Sequence, residues 1–334
     1  MNDEPNLFDL ADVHTAESMD KVALAQQRFS LHAVTHPGDP AFDEAYRAMD
    51  AFFGPRGELE RRETLQNLLR EPECIVHENY EIRYHVVVAR DGGGELAGVR
   101  DCFVIMDAAA RVCLVFLSHA IVLPPYRRSG LAVMMRSFPA TLGRRAAARR
   151  FGSEGAADLM LAAEMEPIAP SDPDTVVRLL AYGRSGFSVI APDYLPYLQP
   201  DFRDLKAPGV VPQPVPLLAV IRWMGHENEE HLPGRLALAY SGHIHGVHDL
   251  YVASEHIQAL RRHTEGTLGG RDPVPMVRIP PFGASLAGLA PLLRSVVLPL
   301  YPPAFRGSGE PLGDPVVERA ALESMPLRAP QPQR

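Results

Sequence analysis

Apolar and polar positions along this chain switch between two periods, and the switches outline an alternating order of strands and helices. Phe29 to Val34 alternates as a short strand and ends in the turn cluster His36-Pro37-Gly38-Asp39-Pro40. From Asp43 the spacing becomes helical, with Ala45, Met49, Phe52 and Phe53 on one stripe and acidic residues in the first turn, until Gly54-Pro55-Arg56-Gly57 stops it. Glu58 to Arg70 repeats the helical pattern. Three strand-like runs follow: Ile82 to Arg90, Leu96 to Met106 and Val112 to Leu123. Asp91-Gly92-Gly93-Gly94 makes the first two a hairpin. The third run is nearly all apolar, as in a strand buried on both faces.

Pro124-Pro125 ends that strand, and a helix is predicted from Gly130 to about Arg150, with Pro139 as a kink. Ala157 to Met165 predicts a strand, and Asp174 to Ser185 a helix stopped by Gly186. Phe187 to Tyr197 and Pro216 to Trp223 predict strands. Beyond Gly225 the character changes: seven of the 13 histidines lie between His226 and His263, among helix-like stretches at Leu232 to Tyr240 and Asp249 to Arg262. The division is therefore an N-terminal extension over 1–28, an α/β domain over 29–225, a His-rich, mostly helical extension over 226–300, and a Pro-rich, poorly ordered tail over 301–334.

Composition excludes more than it identifies. The 334 residues, 46% hydrophobic and 22% charged, suit a globular protein with a real core. A net charge of −8 and a pI near 5.9 argue against a nucleic-acid partner and tilt slightly toward a cationic one. Cys74, Cys102 and Cys113 lie in or beside apolar runs, suggesting reduced core thiols in a cytoplasmic protein. The acidic N-terminus lacks a secretory pattern, and no run approaches the ~18 uninterrupted apolar residues of a membrane span; Leu286 to Leu300 is read as a packed segment.

The chemistry concentrates at Val122-Leu123-Pro124-Pro125-Tyr126-Arg127-Arg128-Ser129-Gly130-Leu131-Ala132. A strand running through a tight turn into a helix presents unpaired N–H groups at the positive end of the helix dipole, an anion site. Gly130 would let a phosphate approach the main chain, and Arg127, Arg128 and Arg136 add charge. An ordinary junction with exposed arginines is the alternative. His243-x-His245-x-x-His248-Asp249 invites a zinc reading, but lacks Cys and a helical His pair at i, i+4, so it is read as a polar His-rich loop and no metal is expected. Arg144, Arg145, Arg149 and Arg150 are read as a solvated helix end.

The segment from Val122 to Ala132 resembles the acyl-CoA signature of the GNAT N-acetyltransferases, Val-x-Pro-x-Tyr-Arg-x-x-Gly-(Ile/Leu)-(Gly/Ala). Tyr182-Gly183-Arg184-Ser185-Gly186-Phe187 resembles a second element of that family, Tyr-x-x-x-Gly-Phe. The resemblance covers about Phe29 to Trp223. It implies an α/β fold: a mixed, mainly antiparallel sheet, splayed at the cofactor, with helices on both faces and here a C-terminal extension. It implies acetyl-CoA or another short acyl-CoA as co-substrate, its pantetheine on the main chain of Val122 and Leu123 and its pyrophosphate on the loop Arg127, Arg128, Ser129, Gly130, Leu131 and Ala132. Tyr182 stands where the family places its general acid. The base is less fixed: Phe116 occupies one family position for it, while Glu164 and Glu166 match a fifth-strand arrangement, and Ser118 could hold a water. His119 is expected to face away from Phe116, as a core histidine. Thr175 in place of a family Asn, and the insertion carrying Pro167, Pro170 and Pro173, set this chain apart. The acceptor would be a small-molecule or protein amine, with a homodimer left open. Two rival readings are a non-catalytic acyl-CoA-binding sensor or scaffold, and an interaction protein working through its C-terminal region.

Overall fold

A computed structural model describes residues 7–56, 58–70, 74–77, 79–166, 173–202 and 213–279; the expected tail at 301–334 and the segment Leu286 to Leu300 lie outside them. Helix α1 (Met19–Arg28) and strand β1 (Phe29–Val34) lead into α2 (Pro40–Phe53) and α3 (Arg62–Arg70). Asp39 starts α2 by accepting the Ala41 amide at 2.9 Å, with Pro40 at the first helical position. Then come β2 (Ile75–His77), β3 (Tyr80–Asp91), β4 (Leu96–Asp107), β5 (Val112–Val122), α4 (Leu131–Phe151), β6 (Asp158–Met165), α5 (Pro173–Arg184) and β7 (Ser188–Ile190). The chain closes with β8 (Leu198–Gln199), β9 (Val215–Pro216), β10 (Leu218–Trp223), β11 (His231–Leu232), α6 (Gly234–His248), α7 (Ser254–Leu268) and β12 (Val274–Arg278).

The main sheet runs β1-β3-β4-β5-β6-β10-β7-β12-β11, with β2 also on β3, while β8 and β9 pair separately. All its pairings are antiparallel except β5 with β6. This is the mixed, mainly antiparallel α/β fold that the sequence implies. Alternation along the strands builds two cores. One face (Val87, Cys102, Val104, Val115, Leu117, Leu161) packs on α1, α4 and α5. The other (Ile82, Phe103, Ile105, Leu114, Phe116, Ala162) packs on α2, α3 and α6. Helix α4 continues through Pro139 to Phe151.

Three expectations are corrected. His243, His245 and His248 lie in helix α6, all buried, where the two glycines suggest a loop. Gly246 has a packing reason: a Cβ there would collide with the Tyr80 hydroxyl. Cys74 is only half-buried, unlike Cys102 and Cys113. Arg144 is not a solvated charge: it pairs with Asp9 at 3.0 Å and Asp12 at 2.8 Å, tying the N-terminal segment to α4.

Candidate active site

The parallel pairing of β5 with β6 runs from Val112 opposite Asp158 to Leu117 opposite Ala163 and ends there, while β5 continues to Val122. On its other side the register with β4 shifts, so that Ser118 and His119 stand against the single residue Asp101. Beyond Leu117 and Ala163 the two strands are unpaired, next to the bulge, and the space between Ser118–Val122 and the end of β6 is termed the wedge.

At the wedge's open end the chain turns through Pro124–Tyr126 into α4. Arg128 (φ 63°) and Gly130 (φ 88°) are both left-handed, which curls successive amides toward one side. Leu131 N–H is spent on Ser129 Oγ at 3.4 Å. The amides of Arg128, Ser129, Gly130 and Ala132 bond to no acceptor among the described residues. Leu123 N–H is turned to β4 and donates to the Ala97 carbonyl at 3.0 Å, and Arg127 Nε donates to the Val122 carbonyl at 3.4 Å. Of the expected loop, then, four amides stand free and the Leu123 amide does not. Gly130 also has a second reason: a Cβ would meet the Lys21 carbonyl at 2.5 Å, because α1 packs against the loop.

On the α4 face, Tyr182 packs edge-on to Phe187 at 4.9 Å, and its hydroxyl accepts from Arg100 Nη2 at 3.3 Å. Arg100 is 1% exposed, and its Nε and Nη1 have no partner among the described residues. Nearby, Arg136 donates to Glu17 at 3.0 Å and to Ser185 Oγ at 2.9 Å. Burial pulls the Arg136 guanidinium below its ordinary range, against the opposing pull of Glu17. Sequence reasoning misses Arg100, since a single arginine inside an apolar strand carries no spacing signal.

The opposite face carries carboxylates. Glu164 lies just beyond the last β5–β6 pair and is buried; it accepts from Gln199 at 2.9 Å, from the Tyr197 hydroxyl, and pairs with His248 at 3.2 Å. Burial would raise its carboxyl, but His248, Tyr197 and Gln199 outweigh that and hold it below the usual value. Glu166, by contrast, is half-exposed and paired with Arg178 at 3.1 Å. Ser118 Oγ meets His119 Nδ1 at 3.1 Å.

His119 is the fourth correction. The bulge breaks the alternation and turns its ring onto the face of Phe116, against Phe53 at 4.7 Å. There its Nδ1 lies 3.1 Å from Asp101 Oδ2, and its Nε2 2.9 Å from the Glu58 carbonyl. Burial opposes its charge, but Asp101 and Glu60 dominate and raise it to about 10, so it is an imidazolium that donates from Nδ1 to Asp101 and from Nε2 to the Glu58 carbonyl. Tyr84 donates to the same Asp101 at 2.8 Å. His248, whose Nδ1 lies 2.8 Å from the Tyr251 hydroxyl, and Tyr251 itself come from the C-terminal region. His243 goes to Asp107 and His245 to the Leu198 carbonyl. Among the described residues no group of three or more His, Cys, Asp or Glu could hold a metal, and no helix is long and apolar enough to cross a membrane.

No protein-family model matches the sequence, and no curated protein does. Solved structures similar to the chain are GNAT-family acetyltransferases. One is a GNAT-family acetyltransferase from Staphylococcus aureus Mu50, 10% identical, covering 58% of this chain and 99% of that one, with a TM-score of 0.35. Another is an aminoglycoside acetyltransferase from an uncultured soil metagenomic sample, 16% identical, covering 47% and 88%, with a TM-score of 0.30. A third is the GCN5-related glucosamine N-acetyltransferase region of a fungal multi-domain β-N-acetylglucosaminidase, 17% identical over 48% of this chain, with a TM-score of 0.32; the match spans 17% of that longer chain.

Proposed function

We propose that this protein is an acyl-CoA-dependent N-acyltransferase that moves a short acyl group, acetyl in the simplest case, from the thioester to a primary amine. The observation that carries this reading is the wedge beyond Leu117 and Ala163, closed at its open end by four free amides at the entry to α4. The residues suit a pyrophosphate: unpaired amides at the positive end of a 21-residue helix, a left-handed curl, and the exposed Arg127 and Arg128 beside them. With the phosphates there, the pantetheine arm would lie along the free edge of β5 and bring the thioester to the level of Tyr182.

Each face then has its task. A neutral amine on the carboxylate face attacks the thioester carbon; the carbon–sulfur bond breaks and its electron pair stays on sulfur. Tyr182 supplies the proton that the departing thiolate takes. Arg100 already donates to the phenol oxygen, so the Tyr182 proton is free to point elsewhere. The proton lost by the amine passes to the buried carboxylate face, where Glu164 is the candidate acceptor and His248, Tyr197 and Gln199 fix its orientation.

The test has two parts. Calorimetry with CoA and acetyl-CoA should give saturable binding, and free thiol should appear on adding one member of a panel of polyamines, aminoglycosides and peptide N-termini. Absence of CoA binding sinks the reading. Binding without thiol release across the panel favours the sensor or scaffold.

A further inference from the structure

Arg149 and Arg150, taken alone, look like the basic last turn of a long helix. The fold sets them against β3 and β4. Arg83 and His85 on β3 and Val104 and Met106 on β4 lie on the face that α4 covers, and a cavity of about 180 Å³ remains beneath its last turns. That is room for a ligand of about six water volumes at ~30 Å³ each. Val104, Met106 and Ala146 supply an apolar wall.

The charge is one-sided. Arg150 is balanced by Glu81 at 3.3 Å. Arg83 and Arg149 are exposed and have no carboxylate partner among the described residues, which leaves two uncompensated guanidinium groups on the cavity. His85 adds no charge: burial first, then Arg83 and Arg149, lower it to about 4, so at neutral pH the ring is an uncharged hydrogen-bonding group. By the helix rise of ~1.5 Å per residue, Ala146 lies roughly 24 Å along α4 from Gly130. The cavity is therefore separate from the wedge, and its occupation stands or falls independently of acyl transfer.

The geometry points to a second ligand site, between the end of α4 and strands β3 and β4, for a small carboxylate with an apolar body. The carboxylate sits between Arg83 and Arg149, and the body lies on Val104, Met106 and Ala146. Neither half suffices: a compact inorganic anion has nothing to place on the apolar wall, and a neutral ligand has nothing to offer two guanidinium groups.

Cys74 lines the same cavity and is the one thiol of the three that is not buried. Burial pushes the other two, Cys102 and Cys113, up to about 12. Cys74 is therefore a built-in reporter. Para-fluorobenzoate is the probe, followed by fluorine NMR and by its protection of Cys74 from a maleimide. Saturable binding with matching protection is expected. Arg83→Gln and Arg149→Gln should each weaken it about tenfold, the loss of one charge-assisted hydrogen bond, and Ala146→Leu should fill the wall and abolish it. Sulfate and para-fluorobenzyl alcohol should each compete poorly. The proposal is overturned by absence of saturation, by binding that survives both arginine changes, or by either competitor matching the probe.

Discussion

Arg100, buried inside β4, places its Nη2 3.3 Å from the Tyr182 hydroxyl. A guanidinium has only donors, so this contact fixes the phenol oxygen as the acceptor and leaves its proton free for another partner. Tyr182→Phe keeps the ring against Phe187 and removes the proton donor. Its kcat should fall by about 10²–10⁴ while CoA affinity is retained. Arg100→Met should lower kcat in the same direction without the full loss, because the donor remains and only its orientation is gone. Steady-state kinetics with calorimetric CoA binding checks both; an unchanged kcat in Tyr182→Phe removes the phenol from the chemistry.

Gly130 separates packing from ligand contact. Its φ of 88° and the 2.5 Å separation that a Cβ would have from the Lys21 carbonyl both oppose any side chain. Gly130→Ala should therefore destabilise the protein itself by about 1–3 kcal/mol, through the left-handed backbone and the displacement of α1. Thermal unfolding without ligand is the measurement. A melting temperature equal to that of the wild type would mean that α1 does not seat on the loop.

The Asp101–His119 pair gives stability a pH signature. His119 is raised to about 10 in the fold, against about 6.5 unfolded. Its contribution is complete below pH ~6.5, shrinks as pH rises, and is gone above pH ~10. For Asp101, burial acts upward but His119 and Tyr84 win, and the folded value is lowered; its contribution is present above pH ~4 and lost as pH falls through that lower value. Urea midpoints across pH should therefore decline on the alkaline side, and His119→Gln should flatten that limb. Asp101→Asn, which strands a buried cation, should cost about 3–5 kcal/mol at neutral pH.

The sheet is legible in the sequence because its central strands are long and strongly patterned: Ile82 to Arg90 and Leu96 to Met106 fall within β3 and β4, and Val112 to Leu123 overruns β5 by one residue. The loop is legible because proline and glycine mark both ends of a tight turn. What stays hidden depends on register or on distance. The two-for-one opposition at Ser118 and His119 is invisible in β5 alone, so simple alternation assigns His119 to the wrong face. The histidines of α6 carry no sign that each meets a different strand or loop, and Gly242 and Gly246 disguise the helix. Arg100, Glu17 and Arg136 come together from three distant segments.

Glu164 and Glu166 stand two residues apart on one strand end, yet their surroundings separate them. The Glu164 side chain is buried among Tyr197, Gln199 and His248, whereas the Glu166 side chain is 45% exposed and, among the described residues, held by Arg178. A carboxylate screened by solvent and one surface arginine contributes little to a reaction inside the wedge. Glu166→Gln should therefore leave kcat within about fivefold of the wild type, since an exposed ion pair is typically worth at most ~1 kcal/mol. Glu164→Gln is nearly isosteric but turns one of three donors toward an amide nitrogen, and it removes the only negative charge facing His248 in that set. Its kcat should fall by about 10²–10⁴, the usual range for losing a general base. Because the three donors hold the Glu164 carboxyl below its ordinary value, the acid limb of the wild-type rate should lie below pH ~4.5. The alkaline amine, free of its proton only at high pH, should partly rescue Glu164→Gln as pH rises. Equal losses in both variants, or a Glu164→Gln rate that stays flat with pH, would move the proton acceptor to another residue of the network.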